Sequence, residues 1–189
     1  MKLLLINACS NKNSKTLKLT KEIINLFNNG YLIDVINTYS LPFNYINEEI
    51  IEKRDKGEYD PLALKYAKMI KEADRIIIAA PLWDMGFPAS LKVFLENVML
   101  PNYLFKYTDN GSLGLVNAKK LLYINTIGGF VDINSGFEEV KGIAKIWGIE
   151  DVEKISIDGV DIDPNRYDNE KIKLIEKLKN KLKEFWKNE

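Results

Sequence analysis

Histidine is absent from this 189-residue chain, and cysteine occurs once, at Cys9. Without histidine, Ser-His-Asp and Cys-His catalysis are excluded, and the usual zinc and iron–sulfur ligand sets are missing, so no metal site is expected. Much hydrolase chemistry goes with them, while carboxylate and metal–phosphate chemistry stays open. A lone cysteine cannot close an internal disulfide; Cys9 reads as a small buried residue behind the first strand, with a redox thiol as the alternative. An excess of charge of either sign is also missing, since 27 Lys and Arg face 27 Asp and Glu. That balance leaves no footprint for nucleic acid or an anionic membrane surface, and binding to either is not expected. No stretch approaches the roughly 20 apolar residues of a bilayer span. The N-terminal MKLLLIN meets Asn and Cys at once, with no cleavage site behind it. The expectation is a soluble, cytoplasmic chain folded as one domain over residues 1–189, long enough to bury a full core.

What is present is alternation. Residues 3–6 form a continuous apolar run of the kind that marks a strand buried on both faces, and residues 31–36, 75–80, 120–126 and 152–157 repeat it less purely. Between these lie apolar residues at helical spacing: Leu17, Ile23, Ile24 and Phe27; Leu62, Tyr66, Met69 and Ile70; Leu91, Phe94, Leu95 and Val98; Phe137, Val140, Ala144 and Trp147; Ile172, Ile175, Leu178, Leu182 and Phe185. Alternating strand and helix, joined by right-handed crossovers, predicts an α/β fold: a doubly wound, five-stranded parallel sheet with helices on both faces. The common order is the flavodoxin-like 2-1-3-4-5, whose ligand crevice lies beyond the carboxyl ends of the strands, at the switch between strands 1 and 3. Residues 47–61 read as a surface helix and loop, and the lysine-rich end of the chain as a solvated helix face.

Three loops should meet at that crevice. The first, NACSNKNSKTLKLT, places Ser10, Asn13, Ser14 and Thr16 around a helix N-terminus, where free N–H groups and the positive end of the dipole favour a phosphate. It lacks the P-loop and the Rossmann glycine patterns, and Ser14 or Thr16 could equally serve only as a helix cap. The second, after strand 3, carries Pro81, Leu82, Trp83, Asp84 and Met85 before Phe87-Pro88 lead into a helix. Large apolar side chains in a short strand-to-helix connection suggest contact with something flat and apolar. The third, NTIGGF, brings Thr126 and the pair Gly128-Gly129, which permits positive φ and close backbone approach, or is a plain turn. A phosphate at the first loop and a planar ring between the other two describe FMN.

The segments APLWDMGFPASLKVFLENVM, FKYTDNGSLGLVNAKKLLYINTIGG and SGFEEVKGIAKIWGIEDVEKISIDGVD resemble, along essentially the whole chain, the FMN-dependent NAD(P)H:quinone oxidoreductases and azoreductases of flavodoxin-like fold. The resemblance implies that Ser10, Ser14 and Thr16 supply the hydroxyls that hold the phosphate of a tightly bound FMN, with a further donor from among Asn13, Ser14 and Lys15. Pro81, Leu82, Trp83, Asp84 and Met85 would lie along the isoalloxazine, and Thr126, Gly128 and Gly129 would close on its pyrimidine side. Many members carry Asn where this chain has Asp84; a carboxylate accepts hydrogen bonds but cannot donate one.

The family also implies a homodimer with sites at the interface, the arm of residues 100–114 reaching the partner's flavin. Phe105 and Tyr107 of that arm, with Phe130, would form the substrate pocket; the alternative is that Phe105 and Tyr107 pack within their own subunit. NAD(P)H would pass hydride to the flavin, leave, and be replaced by a quinone or another aromatic acceptor. No catalytic side chain is expected, because such chemistry belongs to the cofactor. The rival readings are a flavodoxin-type electron carrier, a phosphoacceptor domain of the same topology, and an FMN reductase that releases its flavin.

Overall fold

The structure, a computed structural model, describes residues 1–27 and 30–185, and their side chains except those of residues 27 and 180–185. The expectations for Phe27, Leu182 and Phe185, and for the last residues of the chain, lie outside that description.

The first strand, β1 (Lys2–Asn7), is buried from Leu3 onward. It pairs in parallel with β2 (Leu32–Asn37) on one side and β3 (Arg75–Ala79) on the other. β6 (Lys120–Ile127) and β7 (Asp151–Asp158) complete a five-stranded sheet of order β2-β1-β3-β6-β7. Counted as the sheet's own strands, this is the expected 2-1-3-4-5. The purity of each apolar run follows position: β3, in the middle, is buried throughout, while β2, at the edge, leaves Leu32 and Val35 exposed.

Because side chains alternate across a strand, the sheet carries two apolar layers. On one side Leu4, Ile6, Ile76, Ile78, Leu121 and Tyr123 pack beneath α3 (Pro61–Glu72), α4 (Ala89–Val98) and α5 (Ser135–Trp147). On the other, Leu3, Leu5, Ile77, Leu122, Ile124 and Ile155 meet α1 (Lys15–Phe27) and α6 (Arg166–Phe185). Burying one such side chain stabilises the fold by about 1.5–3 kcal/mol. On α6 the exposed Ile172 breaks the expected stripe, while Leu178 is buried. Asp60 caps α3 through the N–H groups of Leu62 and Ala63, Asn134 caps α5 through Phe137, and Ser14 caps α1 through Leu17. Residues 47–61 contain α2 (Glu48–Asp55), which buries no side chain.

The arm is more ordered than its sequence suggested. It folds as an antiparallel hairpin of β4 (Phe105–Thr108) and β5 (Gly111–Gly114). Gly114 crosses the C-terminus of α5 so closely that a Cβ there would stand 2.1 Å from the Gly148 nitrogen. Gly148 is itself the left-handed cap that ends α5.

Candidate functional site

The loops after β1, β3 and β6 do converge beyond the carboxyl ends of the strands. They enclose an open cavity of about 540 Å³, within the range usual for cofactors. Its lining includes Ser10, Asn13, Ser14, Pro81, Leu82, Trp83, Asp84, Thr126 and Gly128 from the expected set.

At the α1 end, Asn11 organises the turn: its side chain accepts from the Asn13 N–H at 2.8 Å, and its carbonyl from the Ser14 N–H at 3.0 Å. The Ser14 hydroxyl accepts from the Leu17 N–H at 3.3 Å while also lining the cavity, so it both caps the helix and faces the site. The first N–H groups of a helix have no partner within it. With Ser10 and Asn13 they form a donor-rich end suited to a phosphate.

Thr16 corrects the expectation. It is fully buried, does not line the cavity, and its hydroxyl is 2.8 Å from that of Thr126. It joins α1 to β6 beneath the site and positions Thr126.

The loop after β3 is a two-residue hairpin closed by Trp83 N–H to Gly86 O at 2.8 Å and Gly86 N–H to Trp83 O at 2.9 Å. Its central residues, Asp84 (φ 47°) and Met85 (φ 68°), are both left-handed without being glycine. That conformation costs roughly 1–2 kcal/mol per residue and recurs at functional sites. The turn leaves Trp83 half-exposed over the cavity and aims Met85 outward, beyond the lining.

The glycine pair departs from expectation, since neither Gly128 nor Gly129 has positive φ. Gly128 lies instead against the Asp161 side chain: a Cβ there would stand 2.6 Å from Asp161 Oδ2, a contact that the exposed carboxylate can relieve by turning away. Gly129 lies outside the lining and would tolerate a side chain. Phe105 is also corrected: it is 6 % exposed and packs in the core of its own chain, so it forms no wall of an open pocket. Tyr107 is 77 % exposed and away from the cavity, its ring edge-on to Phe105. Phe130 is exposed but belongs to an adjacent groove.

Sequence reasoning missed the fourth wall, the loop after β7. Gly159, Val160 and Asp161 donate their N–H groups to the carbonyls of Gly129, Ile127 and Gly128, at 2.7, 3.0 and 3.0 Å. Val160 and Asp161 thereby line the cavity. Lys15 then ties this wall to α1, its Nζ donating to Val160 O at 2.6 Å and Asp161 Oδ1 at 3.2 Å. The available signal was the run ISIDGVDID, a glycine between acidic residues at the end of a strand. Cys9, at the cavity floor, is 1 % exposed, and burial pushes its thiol up to about 11, so it stays protonated near neutral pH. The buried-residue reading holds over the redox one. Among the described residues, no group of three or more His, Cys, Asp or Glu could hold a metal ion, and no helix is long and apolar enough to cross a membrane.

These features fit FMN: hydroxyl and backbone donors at one end, an aromatic residue and a glycine in the lining at the other, and a cleft of suitable size between. Comparison with known proteins agrees. A family model described as flavodoxin-like fold matches residues 1–182. An FMN-dependent NADH:quinone oxidoreductase of Caldicellulosiruptor saccharolyticus is 32 % identical over 170 residues, covering 82 % of this chain and 84 % of that protein. A protein of the same name from Clostridium perfringens is 40 % identical over 113 residues; the match takes in 58 % of this chain and spans little more than half, 57 %, of that relative. Among solved structures, an FMN-dependent NADH-azoreductase from Bacillus anthracis in complex with FMN shares the fold, with a TM-score of 0.81 at 24 % identity over 96 % of this chain and 98 % of that one. The chain belongs to the flavodoxin-like fold family and, within it, to the FMN-dependent NADH:quinone oxidoreductases.

Proposed function

We propose that this protein is an FMN-dependent NADH:quinone oxidoreductase that takes its two substrates in turn, NADH first and then a quinone, azo compound or nitroaromatic. The observation that carries this reading is the pairing, in one open cavity, of a donor-rich helix N-terminus with the strained Trp83–Gly86 turn. FMN held there would supply the redox chemistry, by which NADH, a proton and a quinone give NAD⁺ and a hydroquinone.

The chain's own work is binding and orientation. Ser10, Asn13 and Ser14 with the first N–H groups of α1 hold the phosphate, whose negative charge the helix dipole favours. Pro81, Leu82 and Trp83 offer an apolar edge to the ring, while Gly128 lets backbone approach its pyrimidine side. Asp84, in the same lining, would offer the ring's imide N–H a carboxylate acceptor. Thr126 is fixed by Thr16, and Lys15 holds the β7 loop closed beside the phosphate end. No side chain need move a proton: the one thiol in the cavity is held protonated, and proton exchange goes through solvent at the open side. Tyr107, 77 % exposed near the tip of a hairpin whose base packs on α5, supports a homodimer in which this arm meets a second copy.

The test is a visible spectrum of the purified protein, titrated anaerobically with NADH. Flavin bands that co-purify and bleach with about one equivalent of NADH are expected. Bound flavin that NADH leaves oxidised would favour an electron carrier, flavin lost on each turnover would favour an FMN reductase, and failure to load FMN would overturn the reading of the cavity.

A further inference from the structure

Phe130 lies outside the cavity, in a groove of its own, and its surroundings suggest a second use. Its ring is pinned: the Arg166 guanidinium sits 4.9 Å from the ring centroid, and the Arg166 Nε donates to Asp158 O at 2.6 Å. Gly159, with φ 74°, packs against the ring edge so closely that a Cβ there would meet Phe130 Cζ at 2.7 Å and Arg166 Nε at 2.8 Å. Even so, Phe130 remains 62 % exposed. An aromatic ring fixed on one face and one edge, and open elsewhere, is a stacking platform already paid for in conformational entropy.

The groove it lines, about 430 Å³, runs between β7 and α6 and includes Asp158, Arg166, Glu170, Lys173 and Lys177. Its charge favours an anion. Three cations, Arg166, Lys173 and Lys177, stand against two carboxylates, Asp158, which accepts from the Ser156 hydroxyl, and Glu170, which pairs with Lys173 and feels the Arg166 charge. The groove adjoins the flavin cavity across a single ridge, where the Gly159 N–H meets Gly129 O at 2.7 Å; Gly128 and Val160 line one side, Phe130 and Asp158 the other.

We propose that this groove binds the adenylate half of the dinucleotide donor, with the purine on Phe130 and the phosphates toward Arg166, Lys173 and Lys177. The proposal rests on the reading of the cavity as the hydride-transfer site. Reduced nicotinamide mononucleotide, which lacks the adenylate half, is the discriminating probe. In the holoenzyme, the ratio of kcat/KM for NADH to kcat/KM for the mononucleotide should fall about tenfold in Lys173→Glu/Lys177→Glu, the expected scale for two reversed surface charges near phosphates. It should be retained in Lys173→Arg/Lys177→Arg. AMP, measured by calorimetry without turnover, should bind wild type and lose affinity in the Glu variant and in Phe130→Ala. An unchanged ratio, or equal losses with both donors, overturns the proposal, as does AMP binding that ignores all three positions. If neither donor reduces the flavin but AMP still binds through these residues, the oxidoreductase reading has failed and the nucleotide subsite stands.

Discussion

Replacing Thr16 with valine separates two roles that its position near the phosphate loop would confuse. The Thr16 hydroxyl is fully buried and 2.8 Å from that of Thr126, which is 7 % exposed. Valine keeps the shape and removes one partner, stranding the Thr126 hydroxyl. A buried polar group left unpaired costs about 1–3 kcal/mol, or about 2–12 °C in Tm for a chain of this size. Thr126→Val should cost a similar amount, and the double variant less than the sum of the two, by about 1 kcal/mol or more, because no stranded hydroxyl then remains. The assay is urea unfolding of the FMN-free protein for all four members of the cycle, run beside FMN titration by fluorescence quenching. Since the Thr16 hydroxyl faces Thr126 and not the cavity, Thr16→Val should weaken FMN binding far less than Ser14→Ala. Additive single effects, or a Thr16→Val protein of unchanged stability that no longer binds FMN, would refute the reasoning and return Thr16 to the phosphate site.

Three further outcomes follow from the geometry. Cys9 should resist iodoacetamide at pH 8 in the native protein and react once unfolded, and its contribution to stability should be pH-dependent: with the thiol raised from 9.0 to about 11, that contribution is complete below pH 9 and lost as pH climbs toward 11, so wild type should lose ground against Cys9→Ala across that window. Gly114→Ala places a Cβ 2.1 Å from the α5 backbone and cannot be relieved by a side-chain shift, so a loss of more than about 3 kcal/mol, or a displaced hairpin seen as new amide shifts, is expected; wild-type stability would contradict the close crossing. Asp84→Asn keeps a residue tolerant of the left-handed φ of 47° while removing a negative charge beside the reducible ring, and so should raise the flavin midpoint potential; an unchanged or lower value counts against Asp84 lying at the pyrimidine.

The parts of this molecule legible from sequence are those where one physical signal dominates. β1 and β3 are covered on both faces, so their apolar runs are continuous and mark them as inner strands, while the alternation of strand and helix points to the doubly wound order and the position of the crevice. The hairpin at 105–114 escaped because its strands are four residues each and mostly exposed, although Asp109-Asn110-Gly111 carries a turn signal. The β7 wall escaped for another reason: Val160 and Asp161 enter the cavity through backbone hydrogen bonds to Ile127 and Gly128, of which the glycine between acidic residues in ISIDGVDID is only a faint trace.

The aromatic residues show most clearly what composition cannot decide. Phe105 and Tyr107 lie two apart on β4, hence on one face of the hairpin, with their rings 5.4 Å apart, yet one is buried and the other exposed. The base of the hairpin is drawn against the body by the Gly114–Gly148 crossing, opposite which Phe105 pairs, while Tyr107 is carried past the edge of the domain. Phe130, by contrast, is held not by burial but by a cation on its face and a glycine at its edge, two neighbours that come from 29 and more positions further along the chain. Whether an aromatic residue near a flavin loop is core, interface or platform is therefore set by distant residues such as Gly148, Gly159 and Arg166. A substitution at Gly159 should disturb the Phe130 face before it disturbs the cavity itself.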